Sequence, residues 1–190
     1  MTPEAIGSDR TSTDPTSSNR TSTDQASSDQ IRKAAQISIS SARMVDLDAI
    51  LALERGGFPE SEQWSRRSWE GELLGERRTV LVARAHQTVG VICLQTVGPA
   101  ADLQRLVVAP RARRLGVGSA LVRAGVDAVR HLGARTVMLE VGYENEPAIA
   151  LYQRLGFEQR AARADYYGPG QHALILKMYD LQDPPRMTEP

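Results

Sequence analysis

The sequence predicts a single α/β domain built on one mixed sheet. Between residues 36 and 181, strand and helix patterns follow the order strand, two helices, three strands, helix, strand, helix, two strands. A glycine-containing turn joins the fourth strand to a helix, and a right-handed crossover through that helix would place the next strand parallel to the fourth. With 190 residues and 41% hydrophobic content, the chain can bury one substantial core.

Helix caps and glycine stops delimit the elements of the first half. A strand at 36–42 precedes a helix that Asp46 caps, that runs to about Arg55 and that Gly56-Gly57 ends. A second helix begins at Ser65 and stops at Gly75. Asp46 and Ser65 carry the short polar side chains that bind the free N–H groups of a first helical turn. Three strands separated by short polar or Gly-Pro turns follow, at 79–85, 89–97 and 103–109.

The second half begins with the helix after the glycine turn, which we expect to lie on the sheet and to close at Gly133. Its apolar face is predicted from residues spaced three and four apart: Val117, Leu121, Ala124, Ala128 and Leu132. A later helix has Asn145 as its cap and Gly156 as its stop. The remaining elements are predicted in the order strand, helix, strand, strand at 136–141, 146–155, 157–164 and 173–179.

The two ends of the chain differ in composition from the domain between them. Residues 8–29 contain 12 Ser or Thr among 22 and repeat Arg-Thr-Ser-Thr-Asp at 10–14 and 20–24. Such a segment cannot bury enough apolar surface to offset the entropy of ordering its backbone, roughly 1 to 2 kcal/mol per residue. We predict a disordered Ser/Thr-rich tail at 1–35, a domain at 36–181 and a flexible C-terminus at 182–190.

Composition narrows the partners and the compartment. Lys plus Arg and Asp plus Glu are both 23, so a net charge of zero provides no general attraction to nucleic acid or to a membrane. No run approaches the ~20 apolar residues of a transmembrane helix, and no secretory signal pattern begins the chain. The only cysteine, Cys93, excludes an intramolecular disulfide and indicates a reducing compartment, so we expect a cytoplasmic protein.

Neither a cysteine nucleophile nor a metal site is expected. Cys93 lies in an apolar run, which indicates packing rather than chemistry. The three histidines lack the spacing of metal ligands and are scattered at positions 86, 131 and 172.

An arginine-rich turn with two glycines leads from a strand into a helix. Gly116 and Gly118 lack Cβ atoms, so the backbone can approach a ligand and direct its N–H groups at it. These groups belong to a helix N-terminus, which favours an anion such as pyrophosphate. Gly118-Ser119-Ala120 excludes a Walker turn, and Leu121 excludes the dinucleotide fingerprint. A tight turn with solvated arginines is the alternative interpretation.

Two patterns resemble a known family. The spacing Arg113-x-x-Gly116-x-Gly118 matches the acyl-CoA pyrophosphate loop of the GNAT N-acetyltransferase superfamily. The run 139–157, with Leu-Glu-Val, an asparagine, Ala-Ile-Ala-Leu-Tyr and Leu-Gly-Phe, resembles the RimI-like branch, whose members acetylate protein N-termini. Tyr166-Tyr167 completes that pattern, and Phe58-Pro59 with Trp64-Ser65 echoes its N-terminal, substrate-side segment. The resemblance covers about residues 103 to 178.

The resemblance implies a mixed, mostly antiparallel sheet with a splayed parallel strand pair and helices on both faces. It implies acetyl-CoA as co-substrate, Glu140 as the general base and Tyr152 as the general acid of acetyl transfer. The residues implied to bind acetyl-CoA are Leu106, Val107, Val108, Arg113, Arg114, Leu115, Gly116, Val117, Gly118, Ser119, Asn145 and Tyr152. Those implied to bind the acceptor substrate are Phe58, Pro59, Gly142, Tyr166 and Tyr167.

The chemistry of acetyl transfer suits the two implied catalytic residues. An N-terminal α-amine has a pKa of about 7.7 to 8.0, so one carboxylate can remove its proton directly or through a water. After the amine attacks the thioester, the departing thiolate needs a proton, and a phenol with a pKa of about 10 holds one at neutral pH. Direct attack requires no cysteine nucleophile, and the resemblance implies that a backbone N–H near Val141 or Gly142 polarises the carbonyl.

These residues also have purely structural interpretations. Glu140 is compatible with an ordinary polar position at a strand end, and Tyr152 lies on the apolar stripe of its helix. Tyr166 and Tyr167 suit a strand in any case. Asn145 caps its helix under either interpretation.

The chain also departs from the family pattern. Gly142 stands where an arginine often follows Leu-Glu-Val, which affects the choice of peptide, and Arg114 stands where a glycine is common. The leading expectation is transfer of acetyl to a protein N-terminal α-amine. The alternatives are a small-molecule amine, an internal lysine, or a non-catalytic module that senses acyl-CoA. The sequence leaves the oligomeric state open.

Overall fold

The computed structural model describes residues 37–168 and 170–181, with Tyr167 described by its backbone alone. The tails predicted at 1–35 and 182–190 lie outside the described residues.

The order of elements predicted from the sequence is confirmed. The seven strands are β1 (Ser38–Ser41), β2 (Arg78–Ala85), β3 (Gln87–Val97), β4 (Ala100–Val108), β5 (Thr136–Gly142), β6 (Glu158–Gly168) and β7 (Gln171–Met178). The four α-helices are α1 (Leu47–Gly57), α2 (Arg66–Leu74), α3 (Val117–His131) and α4 (Glu146–Arg154). Short 3-10 turns occupy Met44–Asp46, Glu60–Glu62 and Pro110–Ala112.

The strands form one mixed sheet in the order β1-β2-β3-β4-β5-β7-β6. Five neighbouring pairs are antiparallel, and β4 and β5 are parallel, as the crossover through α3 predicts. The parallel pairing is short: it joins only Ala100–Asp102 to Thr136–Met138. The mostly antiparallel sheet with a splayed parallel pair is therefore confirmed. We call the splay the gap that opens where β4 and β5 diverge after their last paired residues.

Helices cover both faces of the sheet, as predicted. On one face, α3 packs so closely on β3 that a Cβ added at Gly125 would lie 2.7 Å from Cδ1 of Leu94 and 3.2 Å from Cδ1 of Ile92. On the other face, the thiol of Cys93 donates to the Glu72 carboxylate of α2 at 3.2 Å. Alternate residues of β3 thus face α3 and α2, and the centre of β3 is buried from both sides.

The predicted apolar face of α3 is partly wrong. Leu132 is 59% exposed, and the residues that α3 buries are Val117, Leu121, Val122, Gly125 and Val129. The stripe is rotated toward Gly125 because the closest approach of the helix to β3 requires a residue without a side chain. A glycine has no hydrophobic side chain to mark it as part of an apolar face, so the pattern favoured the neighbouring residues.

Two of the three predicted helix caps are confirmed. The Ser65 hydroxyl accepts a hydrogen bond from the Ser68 N–H at 3.1 Å, and Oδ1 of Asn145 accepts one from the Ala148 N–H at 3.3 Å. Asp46 occupies the N-cap position of α1, but its carboxylate binds the Arg43 N–H and the Arg84 guanidinium instead. Burial raises the pKa of Asp46, but these hydrogen bonds and charges outweigh it and leave that pKa below its ordinary value.

Candidate active site

A cleft of about 930 Å³ opens where β4 and β5 separate. The last paired residues are Asp102 of β4 and Met138 of β5, and a bulge at Gln104 bends β4 directly after this point. Beyond it, β4 pairs only with β3, and β5 pairs only with β7. The facing edges of both strands therefore offer backbone N–H and C=O groups to a bound molecule.

Glu140 of β5 lines this cleft. Gln95 lies two residues after Cys93 on β3 and so shares the sheet face that α2 covers. Asp102 is paired with Gln95, and Met138 with Asp102, so Met138 lies on that face too. Glu140, two residues further along β5, therefore has its side chain on the same face. The carboxylate is 25% exposed. A residue this accessible can exchange protons with a substrate in the cleft.

Tyr152 of α4 lines the same cleft. The residue is buried, and its ring packs edge to face on Phe157, with 5.6 Å between centroids. Asn145, the cap of α4, also lines the cleft. The packing and catalytic interpretations of Tyr152 are therefore compatible, since the residue packs on Phe157 and also lines the cleft.

The glycine turn lies where β4 leads into α3. Gly116 has a φ of +81°, in the left-handed region that favours glycine, and it precedes the first residue of the helix. The first hydrogen bond of α3 runs from the Ala120 N–H to the Gly116 C=O, so the N–H groups of Val117, Gly118 and Ser119 have no partner within the helix. The turn therefore has the donors and the dipole of an anion site.

Arginines frame this turn. Nε of Arg113 donates to the Val108 carbonyl at 3.1 Å, which ties the turn to the end of β4. Arg114 has a φ of +64°, a conformation that accounts for the glycine common at this position in the resembling family. Arg111 donates to Oε1 of Gln87 at 2.9 Å. The free edge of Leu106–Val108 connects the turn to the cleft.

Of the residues predicted to bind the acceptor, two line the cleft, and two others are described by their exposure at the surface. Phe58 and Gly142 line the cleft, and a Cβ added to Gly142 would lie more than 4 Å from every described atom outside its chain neighbours, so this position is open among the described residues. Pro59 is exposed beside Phe58. Tyr166 is 44% exposed, and the Arg163 guanidinium lies 5.4 Å from its ring centroid. The side chain of Tyr167 lies outside the described residues.

Sequence reasoning missed an ion pair beside the cleft. Arg105 of β4 lines the cleft, and its guanidinium binds the Glu54 carboxylate of α1, which is 1% exposed. A signal was available, because Glu54 continues the buried positions Leu47 and Ile50 of α1 at helical spacing. A carboxylate on a buried stripe requires a partner, and the charged residue inside β4 was the candidate.

Cys93 is buried, as its apolar neighbours predicted. Burial and the adjacent Glu72 carboxylate raise the pKa of its thiol far above the ordinary value, so the thiol stays protonated. In the described part of the chain, no three His, Cys, Asp or Glu side chains group as metal ligands. Among the helices of that same part, none has the length and apolar character needed to span a membrane.

The sheet with its splayed parallel pair, the helix N-terminus after β4 and the carboxylate and phenol in one cleft are the arrangement expected of an acetyltransferase. Residues 44–157 match the acetyltransferase (GNAT) family, and the chain belongs to that family.

Its relatives include N-terminal acetyltransferases. The chain is 28% identical over 159 residues to an N-alpha-acetyltransferase of Sulfurisphaera tokodaii, covering 77% of this chain and 95% of that protein. It is 32% identical over 133 residues to the [ribosomal protein bS18]-alanine N-acetyltransferase of Escherichia coli K12, covering 68% and 86%. The crystal structure of the Escherichia coli ribosomal-protein-S18-alanine N-acetyltransferase matches with a TM-score of 0.70 at 27% identity, covering 80% of this chain and 99% of that one.

Proposed function

We propose that this acetyltransferase transfers the acetyl group of acetyl-CoA to the α-amine of a protein N-terminus by direct attack. The observation that carries the proposal is that Glu140 and Tyr152, from β5 and α4, line one cleft. The two relatives aligned above are named for the acetylation of N-terminal amines, which supports the same class of acceptor here.

The turn before α3 and the edge of β4 would hold acetyl-CoA. The helix N-terminus and the arginines at 113 and 114 suit the pyrophosphate, because that group is negatively charged. The edge of β4 over Leu106–Val108 suits the amide groups of the pantetheine arm, because β5 does not pair with it and, apart from the pairing with β3, only the Val108 carbonyl is bound, by Arg113, among the interactions of the described residues. This arrangement brings the thioester to the splay, where Glu140 and Asn145 lie.

In this mechanism the amine gives its proton to Glu140, directly or through a water, and then attacks the thioester carbonyl. The new bond joins the amine nitrogen to the acetyl carbon, and the bond between that carbon and sulfur breaks. Tyr152 gives its proton to the departing thiolate, the second proton of the acylated nitrogen passes through water to the Tyr152 phenolate, and Glu140 returns its proton to solvent. The products are the acetylated amine and CoA.

The backbone of β5 supplies a donor for the carbonyl oxygen. The Tyr143 N–H donates to the His172 carbonyl of β7 at 3.0 Å, so the N–H of the preceding residue, Gly142, is directed away from β7 and toward the splay. We therefore assign the oxyanion contact to Gly142 rather than to Val141.

An α-amine suits this site better than a lysine side chain. Its pKa of about 7.7 to 8.0 lies more than two units below the lysine value of about 10.4, so far less free energy is needed to deprotonate it at neutral pH. The open space at Gly142 leaves room for the first residues of a peptide. We place the reaction in the cytoplasm, where a protein whose single cysteine is a buried thiol meets reducing conditions.

The test is a comparison of acceptors by release of the CoA thiol. One peptide with a free α-amine and an internal lysine, the same peptide with a blocked N-terminus, and spermidine are each incubated with acetyl-CoA. Turnover of the free peptide alone is expected. Turnover of the blocked peptide would identify a lysine acetyltransferase, turnover of spermidine alone a small-amine acetyltransferase, and tight acetyl-CoA binding without turnover a sensor module.

A further inference from the structure

A buried carboxylate anchors the residue that forms one wall of the cleft. Oε1 of Glu54 accepts hydrogen bonds from Nε of Arg105 at 3.0 Å, from Nη2 of Arg105, and from the Trp64 N–H at 2.8 Å. Oε2 of Glu54 is buried and has no hydrogen-bond partner among the described residues. A charge pair this deeply buried costs desolvation energy, so its presence alone is weak evidence of a stabilising role.

The Arg105 guanidinium makes its remaining contacts with one short segment, 58–64. Its Cζ lies 3.5 Å from the centroid of the Phe58 ring and 5.1 Å from that of Trp64. Nη2 also donates to the Glu62 carbonyl at 2.5 Å. One side chain thus holds the segment by a ring face, by a backbone carbonyl and, through Glu54, by the Trp64 N–H.

This segment faces the cleft. Phe58 and Glu62 line it, together with Arg105. Arg105 is paired with Cys93 across the sheet, so its side chain lies on the same face as that of Glu140. The segment and Glu140 therefore approach a bound acceptor from two walls of one cleft.

We propose that Arg105, anchored by Glu54, is the positioning residue that fixes the 58–64 segment as the acceptor-binding wall and thereby determines the affinity for the acceptor. The inference rests on the proposed function, because it presumes that an amine acceptor enters this cleft. The acetyl-CoA turn lies at the other end of β4 and makes no contact with this pair among the interactions of the described residues.

Arginine is required for this role by its shape. The planar guanidinium binds the Glu54 carboxylate and the Glu62 carbonyl through one edge while its face lies on Phe58. A lysine retains the charge but lacks both the fork and the flat face. Arg105→Lys should therefore loosen the segment without leaving Glu54 unpaired.

The first measurement is the Michaelis constant of Arg105→Lys for each substrate, with a free-amine peptide as acceptor. We expect KM for the peptide to rise about tenfold, with KM for acetyl-CoA within about twofold of the wild type. A purely structural role would lower thermal stability and the active fraction, and would leave both Michaelis constants unchanged.

A double variant, Glu54→Leu with Arg105→Met, separates stability from positioning. Replacing both members of a buried pair with apolar residues is often neutral for stability. We therefore expect a folded enzyme with a near-normal melting temperature that still has a raised KM for the peptide. Arg84→Met is the matched control, because Arg84 pairs with the buried Asp46 at the β1 side of the sheet, away from the cleft.

The two proposals fail in different ways. Wild-type enzyme that acetylates no free-amine peptide would overturn the proposed function. Wild-type turnover combined with unchanged peptide KM in both Arg105→Lys and the double variant would overturn the positioning role alone. A raised peptide KM in Arg84→Met as well would also count against it, since any loss of an ion pair would then have the same effect.

Discussion

Nη1 of Arg163, in β6, lies 3.6 Å from Oε1 of Glu140, in β5. The guanidinium is 53% exposed, so the pair is largely screened by solvent and contributes at most about 1 kcal/mol. An incoming amine can therefore take its place beside the carboxylate at little cost. We predict that Arg163→Met retains kcat within about threefold of the wild type. A loss of tenfold or more in steady-state turnover would instead make Arg163 part of the reaction machinery.

Tyr152→Phe should remove the hydroxyl that gives a proton to the departing thiolate and should leave the packing of the ring unchanged. The ring that packs on Phe157 is retained, so the variant should fold and bind acetyl-CoA as the wild type does. Loss of a general acid typically costs about 10² to 10⁴ in rate, and we expect a fall in kcat within that range. Stopped-time assays of thiol release, with acetyl-CoA affinity measured in parallel, provide the check. Unchanged kcat would assign the proton to another group.

Cys93→Ala should leave acetyl transfer intact. The thiol is buried against α2, and its raised pKa keeps it from forming a thiolate at neutral pH. No acetyl-cysteine intermediate is therefore expected, and intersecting initial-rate plots for the two substrates should identify a ternary complex. Parallel plots in the wild type, with turnover abolished in Cys93→Ala, would contradict direct attack.

Arg114→Gly should have opposite effects on the free and the ligand-bound protein. A non-glycine residue in the left-handed region costs roughly 1 kcal/mol, so glycine at a φ of +64° should raise the melting temperature of the free protein by a few degrees. The loss of a charge beside the pyrophosphate should weaken acetyl-CoA binding several-fold. Thermal unfolding with and without acetyl-CoA measures both effects. A tighter complex would remove Arg114 from the cofactor-binding set.

Two helix caps and the parallel strand pair follow from features that are visible in the sequence. Ser65 and Asn145 were predictable as caps because their side chains act on N–H groups three residues away. The parallel pairing of β4 and β5 followed from the handedness of the crossover. These are local or topological constraints, and one chain is enough to reveal them.

Contacts between distant segments were harder to predict. Glu54 and Arg105 are 51 positions apart, and only the packing of α1 on β4 brings them together. Asp46 has a side chain suited to a cap, but its carboxylate binds Arg84, which is 38 positions away in the sequence and close in the fold. In each case a charged side chain found a partner that local spacing does not show. The buried stripe of α3 differs from the predicted one for a related reason. Leu94 of β3 packs against the helix at Gly125, and this contact between distant segments is not visible in the spacing of apolar residues.

The central claim is that Glu140 accepts the proton of the amine, and a pair of isosteric variants tests it most directly. Glu144 lines the same cleft and is exposed, so Glu144→Gln is a control for the loss of one negative charge there. The measurement is the single-turnover rate of acetyl transfer to a free-amine peptide at saturating acetyl-CoA. We predict that Glu140→Gln lowers this rate by about 10² or more, and that Glu144→Gln stays near the wild type. A single-turnover rate in Glu140→Gln equal to that of the wild type would contradict the role of Glu140 as the general base.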